Sequence, residues 1–269
     1  MTDVTRPEPW DRVAGGYAAL AAAHFAPYAD AALRLAAVEA GERVLDVATG
    51  PGTLAIPAAR SAVVTAVDFS PEMVARVEAR AAEHRVALTA RVADGQALPF
   101  DDGSFDAAFS MFGLFMFPDR AAGFRELARV LRPGGRAVVG TWLERAEDHP
   151  FTLAGQVLRP ENAPAMGDTP VTGGGMPLSA PSDLRREMSA AGFEVTVERF
   201  DHALRFASAG AVASDMLRSH VGFASLEATS EAATFGRVAL RLQAVLRDAL
   251  GEGPVEVPLS AWLARGVKP

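Results

Sequence analysis

Three short stretches carry acids and glycines at spacings that chemistry can use. In Asp46-Val47-Ala48-Thr49-Gly50-Pro51-Gly52 an apolar run turns through glycines into Leu54-Ala55-Ile56, the opening of a helix. Glycines let backbone approach a ligand closely, and the helix start beyond them favours an anionic group such as a carboxylate. Asp68 ends the next apolar run, sixteen positions past Gly52. A carboxylate there can accept both hydroxyl protons of a ribose. Asp94 follows the third run and suits an exocyclic amine such as adenine's. Each alone has a bland reading as a tight turn, a helix cap or a solvated loop residue. Together, in order and on successive runs, they point to a nucleoside site.

The surrounding pattern says what must position them. Arg43–Val47, Val63–Val67, Val86–Val92, Phe105–Met111 and Arg136–Thr141 read as short buried strands. Helical stretches lie between them. Ser70-Pro71-Glu72 is an N-cap, an N1 proline and a first-turn acid, followed at helical spacing by Met73, Val74, Val77 and Ala81. Pro118-Asp119 opens a further helix with Phe124, Leu127, Val130 and Leu131 facing inward, halted by Pro133-Gly134-Gly135. Near-continuous apolar strands alternating with helices predict a doubly wound α/β sheet covered on both faces. In such a sheet, ligands bind beyond the carboxyl ends of the strands, where these acids lie.

After Trp142 the rhythm breaks. Residues 144 to 181 are rich in Pro and Gly, Ser182-Asp183 is expected to cap a helix, and Phe193 to Phe206 suits one bent strand or an antiparallel pair. Residues 209 to 250 are helical in character, with Val238, Leu242, Val245 and Leu246 as a stripe, and Val255 to Val267 alternates as a last strand.

Composition narrows the function classes. The chain has 269 residues, 49% of them hydrophobic and 22% charged, enough to bury a core. Its net charge of −7 argues against nucleic acid as a partner. Cysteine is absent, which removes disulfides, thiolate metal sites and a cysteine nucleophile. No secretory leader or membrane span is read, so the expected setting is cytoplasmic.

Gly50-x-Gly52-x-x-Ala55 formally meets the permissive dinucleotide fingerprint, but the acid four residues before Gly50 points elsewhere. VLDVATGPG, AVDFSPEMV, ADGQALPFDDGSFDAAFS and ELARVLRPGGR resemble the successive motifs of class I S-adenosylmethionine-dependent methyltransferases, in the manner of the ubiquinone/menaquinone-type, small-molecule branch. The resemblance covers about residues 40 to 142. It implies a Rossmann-like, doubly wound seven-stranded sheet, mostly parallel with an antiparallel last strand, plus helical cap insertions. It implies one methyltransferase domain over 1–269: an N-terminal helical cover (1–40), a cofactor-binding core (41–142) and substrate-cap insertions (143–181 and 207–254).

Carried over residue by residue, it implies that Asp46 orients the glycine turn and the methionine amino group. Gly50 and Gly52 pass beneath the methionyl part. Asp68 holds the ribose, with Phe69 and Met73 against adenine. Asp94 takes the adenine amine, with Gly95 and Gln96 on the same edge, and Ser110 faces the reaction side. Tyr17, with Trp10, belongs to a helical segment that folds over the cofactor. Ala48 stands where the family usually has its first glycine. The implied reaction moves a methyl group from S-adenosylmethionine to a small, largely apolar organic acceptor on carbon, oxygen or nitrogen, leaving S-adenosylhomocysteine. Because the sulfonium is already activated, the protein chiefly aligns the reactants and excludes water. Alternatives on the same pocket are a regulatory module that binds the cofactor without turnover and a cyclase-like enzyme.

On the acceptor side, Met111, Phe112, Phe115, Met116 and Phe117 offer an apolar wall, with core packing as the rival explanation. His149 is the best placed of the histidines for a general base, although a packing role is the commoner fate of such a residue. No metal-ligand set is recognised. Residues 209–250 are left to cap the site, to form a homodimer surface, or to do both.

Overall fold

The computed structural model describes residues 5–159 and 176–269; the side chains of residues 16–23 lie outside that description, as do residues 160–175. Among the described residues, seven strands form one sheet in the order β3-β2-β1-β4-β5-β9-β6. The first five in chain order are β1 (Arg43–Val47), β2 (Val63–Asp68), β3 (Thr89–Val92), β4 (Phe105–Met111) and β5 (Leu131–Trp142). All are parallel, so their carboxyl ends share one rim. The last strand, β9 (Ala261–Val267), runs antiparallel between β5 and β6 (Glu194–Phe200). This is the expected doubly wound sheet.

Two apolar layers clamp the sheet. On one face, α4 (Arg120–Val130) and α6 (Pro181–Ala190) bury Phe124, Leu127, Leu184 and Met188 against Leu45, Val139 and Ala264. On the other, α1 (Pro7–Ala36), α2 (Ala55–Ala58) and α3 (Pro71–His84) enclose Val44, Val64, Ala66, Phe109 and Val138. In α3, Met73, Val74, Val77 and Ala81 are the buried positions, and Ser70 Oγ accepts from the Met73 N–H as the expected N-cap. The amino end of α1 is tied down by Asp11, which accepts from the Ser70 hydroxyl and, at 3.3 Å, from the Glu72 N–H. Its carboxyl end is tied by Arg136, which donates to the Ala36 and Ala37 carbonyls and pairs with Glu42 through two nitrogens at 2.8 and 2.6 Å.

Four expectations are corrected. Val86 to Val92 is a strand only over Thr89–Val92, because this edge strand has one neighbour and a mostly exposed surface. β5 begins at Leu131 and runs through Pro133-Gly134-Gly135, with a register shift opposite Phe105 and Ala107, so Leu131 opens a strand instead of closing the helix. α6 starts at Pro181 without a side-chain cap from Ser182 or Asp183. Proline presets the first helical φ and lacks the N–H that a cap would satisfy, while Asp183 pairs with Arg186 at 2.6 Å.

The fourth concerns the carboxyl-terminal third. Residues 193–206 follow the bent-strand alternative, whereas Val255 to Val267 is divided in two, contrary to the single last strand expected. β6 and β7 (Ala203–Phe206) are separated by a corner, as are β8 (Val255–Pro258) and β9. Phe200 faces Ala261 and Ala203 faces Pro258, so the register is unbroken across both corners. Ser260 Oγ donates to Asp201 and the Leu259 N–H to the His202 carbonyl, pinning the bend. One antiparallel ribbon thus begins inside the sheet and leaves it. Three helices join its two halves: α7 (Ala209–Ser219), α8 (Val221–Thr229) and α9 (Ala232–Leu250). They and α5 (Pro150–Leu158) share a small core of Val157, Val212, Met216, Phe223, Leu242 and Leu246. No helix among the described residues is long and apolar enough to cross a membrane.

Candidate functional site

β1 lies between β2 and β4, and the chain reverses its direction of growth at that point. The crevice beyond the carboxyl ends at such a switch is where open sheets bind ligands. A cavity opens there, about 770 Å³ when its solvent-open mouth is included, lined by Ala48, Gly50, Asp68, Phe69, Met73, Asp94, Gly95 and Gln96. Sequence reasoning named all eight. Because Val47 is in register with Val67 and Asp68 with Val92, the two acids reach the cavity from neighbouring strand ends.

The Asp68 carboxylate accepts from the Gly50 N–H at 2.9 Å and from the Ser70 N–H at 3.0 Å. It therefore stitches the glycine turn to the start of α3 while facing the cavity. Burial pushes its pKa up to about 6. Asp46 is more deeply set. It accepts from the Thr49 hydroxyl at 2.7 Å, and burial pushes it up to about 7 against the pull of that bond and the Ala55 N–H. Neither acid forms an ion pair with a basic side chain among the described residues. Asp46 lies off the main cavity and lines an adjoining one with Thr49, Thr53 and Phe25, which shares Ala48, Gly50, Met111 and Phe112 with the first.

Asp94 stays exposed and accepts from the backbone and side-chain N–H groups of Gln96, whose carbonyl in turn accepts from the Asp119 N–H at 2.7 Å. Gln96 thereby links the Asp94 edge to the cap of α4. A Cβ on Gly95 would lie 2.6 Å from the Phe117 ring and 2.8 Å from Val47, so that position has no room for a side chain.

Other named residues fall elsewhere. Gly52 does not line the cavity; it takes a positive φ of 79° and faces Ile56 and Val77, letting α3 pack close to the turn. Ser110 is fully buried on β4 and lines neither cavity, and its hydroxyl has no hydrogen-bond partner among the described residues. Tyr17 lies on α1, but its side chain is outside the described residues. His149 is the N-cap of α5: Nδ1 accepts from the Phe151 N–H at 3.2 Å and Nε2–H donates to the Pro258 carbonyl at 2.8 Å. Both nitrogens are committed to structure and neither reaches the cavity, which corrects its reading as a general base.

Met111, Phe112, Met116 and Phe117 line the cavity, whereas Phe115 packs into the core. Thr5, Ala93, Gly113 and Pro118 also line it and were not foreseen. Gly113 could have been suspected from its place just past β4; Thr5 carries no local signal. Trp10 reaches the rim from α1, because Asp11 anchors that helix on Ser70. Among the described residues, no group of three or more His, Asp or Glu gathers as a metal site.

The arrangement selects for charge as well as shape. Two buried acids without a basic partner among the described residues flank a glycine turn, so a ligand carrying positive charge gains by favouring their ionised forms. The chemistry of this donor set fits S-adenosylmethionine, which brings hydroxyls, an amine and positive charge to carboxylates that can accept them.

Comparison with known proteins agrees. Residues 44–135 match the methyltransferase domain family. An uncharacterized protein of Mycobacterium tuberculosis is 42% identical over 129 residues, 48% of this chain and 47% of that protein. The ubiquinone/menaquinone biosynthesis C-methyltransferase UbiE of Geobacter sp. is 44% identical over 103 residues, 36% of this chain and 44% of the relative. The chain thus spans about half the length of the curated relatives it matches. Two solved structures share the fold. The [4+2]-cyclase SpnF has a TM-score of 0.59 at 24% identity, covering 91% of this chain and 81% of its own. An N-methyltransferase of Haemonchus contortus, solved with phosphomonomethylethanolamine and S-adenosylhomocysteine, has a TM-score of 0.57 at 19% identity, covering 90% and 52%. The matched stretch, residues 44–135, is thus similar to a methyltransferase domain, and it runs from β1 into β5, through the parallel strands whose carboxyl ends border the cavity.

Proposed function

We propose that the protein transfers a methyl group from S-adenosylmethionine to a small, largely apolar organic acceptor. The observation that carries this is the pair of acids, Asp68 and Asp94, lining one cavity with the Ala48–Gly50 turn, beside the buried and unneutralised Asp46. The sulfonium supplies an activated methyl when bound. Asp68 holds the ribose hydroxyls while its own backbone bonds keep it in place. Asp94 and Gln96 border the adenine edge, and Phe69 and Met73 sandwich the ring. Asp46, through Thr49 and the turn, favours the cationic methionyl end.

The acceptor enters past the Met111, Phe112 and Met116 wall. The helices α5 and α7 to α9 serve as its cap. In support, Val221 and Ala224 of α8 pack with Trp10 on the Val13, Ala14 and Met73 cluster, so the cap touches the cofactor cover directly. A dry wall of this kind favours alignment and water exclusion as the sources of rate.

Calorimetry with S-adenosylhomocysteine on the folded chain tests the site, with micromolar binding expected. Transfer of labelled methyl to an acceptor panel tests the reaction. Product mass rising by one methylene unit supports transfer; an unchanged mass with a rearranged skeleton supports the cyclase-like alternative. Binding without turnover of any panel member supports the regulatory one.

A further inference from the structure

Arg145 lies three residues past the end of β5, on the rim that bears the cavity but behind its lining, which Phe112 provides on this side. Its guanidinium sits over two aromatic rings, 5.2 Å from the Trp142 centroid and 5.2 Å from that of Phe151. A guanidinium carries five N–H donors, and neither ring offers them a hydrogen-bonding oxygen or nitrogen acceptor. Among the described residues, none of these donors meets an acceptor and no carboxylate pairs with the charge. Trp142 in turn stacks flat on Phe112, at 3.9 Å and 15°, and Phe112 lines the cavity. Two ring contacts therefore join the cation to the cavity wall.

We propose that Arg145 is an acceptor-recognition residue, its in-plane donors taking a single carboxylate borne on an apolar or aromatic acceptor whose body lies along the Trp142–Phe112 wall. As a statement about the acceptor, this rests on the methyl-transfer reading. Charge parity selects a monoanion. Among the described residues, the groups shown to interact electrostatically with Arg145 are Tyr28, His149 and His220. All three are neutral at pH 7: burial holds the phenol above its usual range, lowers His149, and pushes His220 down to about 4. One cation facing one carboxylate is balanced, and the planar fork matches carboxylate geometry in a two-point contact. A dianionic phosphate would find no second cation there. The unmatched charge has a cost: burial pulls Arg145 down to about 10.

The test is calorimetry of the full chain with 2-naphthoate and its neutral isostere 2-naphthamide, each with and without S-adenosylhomocysteine, and with inorganic phosphate as a competitor. Naphthoate is expected to bind about tenfold or more tighter than the amide. Arg145→Met, which keeps the packing, should abolish that preference and leave S-adenosylhomocysteine affinity within about twofold. Arg145→Lys should keep part of the preference, which guards against a variant that fails by misfolding. Equal binding of acid and amide, binding of neither, an unchanged preference in Arg145→Met, or displacement of naphthoate by phosphate at lower concentration would each overturn the proposal. Arg145-dependent naphthoate binding in a chain that ignores S-adenosylhomocysteine would leave the anion site standing and remove the methyl-transfer reading instead.

Discussion

The methyl group of Ala48 occupies the space that a side chain at position 113 would need. A Cβ built on Gly113 would lie 2.4 Å from Ala48 Cβ. Ala48 itself holds a φ of 56°, a left-handed conformation that favours glycine. The departure from the family's glycine at position 48 is thus matched by a missing side chain across the crevice, between the β1 and β4 strand ends.

That relationship predicts a coupled pair. Gly113→Ala should destabilise the protein by about 1–3 kcal/mol through overpacking, since its own φ of −108° tolerates alanine. Ala48→Gly should be close to neutral, trading relief of left-handed strain against chain entropy. Combined, the two should recover most of the loss, giving a coupling energy of about 1 kcal/mol or more. Urea denaturation of the four proteins in the cycle measures it; simple additivity would mean that the two residues do not share this space.

Asp68→Asn should weaken S-adenosylhomocysteine binding by about 1.5–3 kcal/mol, the worth of hydrogen bonds to a charged acceptor. The amide keeps the shape while losing charge and one acceptor. The wild-type carboxylate titrates at about 6, so affinity should also fall as pH drops through that value, and the variant should lack that dependence. Calorimetry at pH 5.5 and 8 separates the two proteins.

Asp46 predicts a pH effect of definite sign on stability. Its folded pKa of about 7 exceeds the ordinary carboxylate value of 3.8. Such a group stabilises the fold below its unfolded pKa, and that contribution is lost as pH rises toward 7. Asp46→Asn removes the titration, and its amide can donate to Thr49 Oγ1. The stability of the variant minus that of the wild type should therefore climb between about pH 4 and 7 and then level, by about 1–3 kcal/mol. Thermal or urea unfolding across that range would show it; a flat difference would remove the buried-charge account.

His149→Ala should cost about 0.5–2 kcal/mol of stability, the loss of a helix N-cap. His149→Asn should restore part of it. Neither should alter the pH dependence of methyl transfer, because neither ring nitrogen faces the cavity. A lost acidic limb in the His149→Ala rate profile would return the residue to the chemistry.

Much of the cofactor crevice was legible because it is built from local signals. Strand-end acids, a glycine turn and the Ser70-Pro71 cap each declare themselves within a few residues, and right-handed parallel connections bring successive strand ends to one rim. Met73, Val74, Val77 and Ala81 were read from helical periodicity alone and are the buried face of α3. The same locality explains the errors. Ser110 and Gly52 lie beside the crevice in sequence, yet the pleat and the helix turn them into the packing around it.

The chain order of apolar runs and turn residues was sufficient to specify a doubly wound sheet and the acids on its working edge, because periodicity and turn chemistry act over short distances. Long-range packing settled the rest. It split the carboxyl-terminal strands at the Asp201 and Ser260 corners and spent both nitrogens of His149 on a cap. It also set Arg145 over Trp142 and Phe151, with no acceptor for its donors among the described residues. None of these can be read from spacing, since each depends on which distant surfaces meet when the apolar area is buried and the polar groups must find partners.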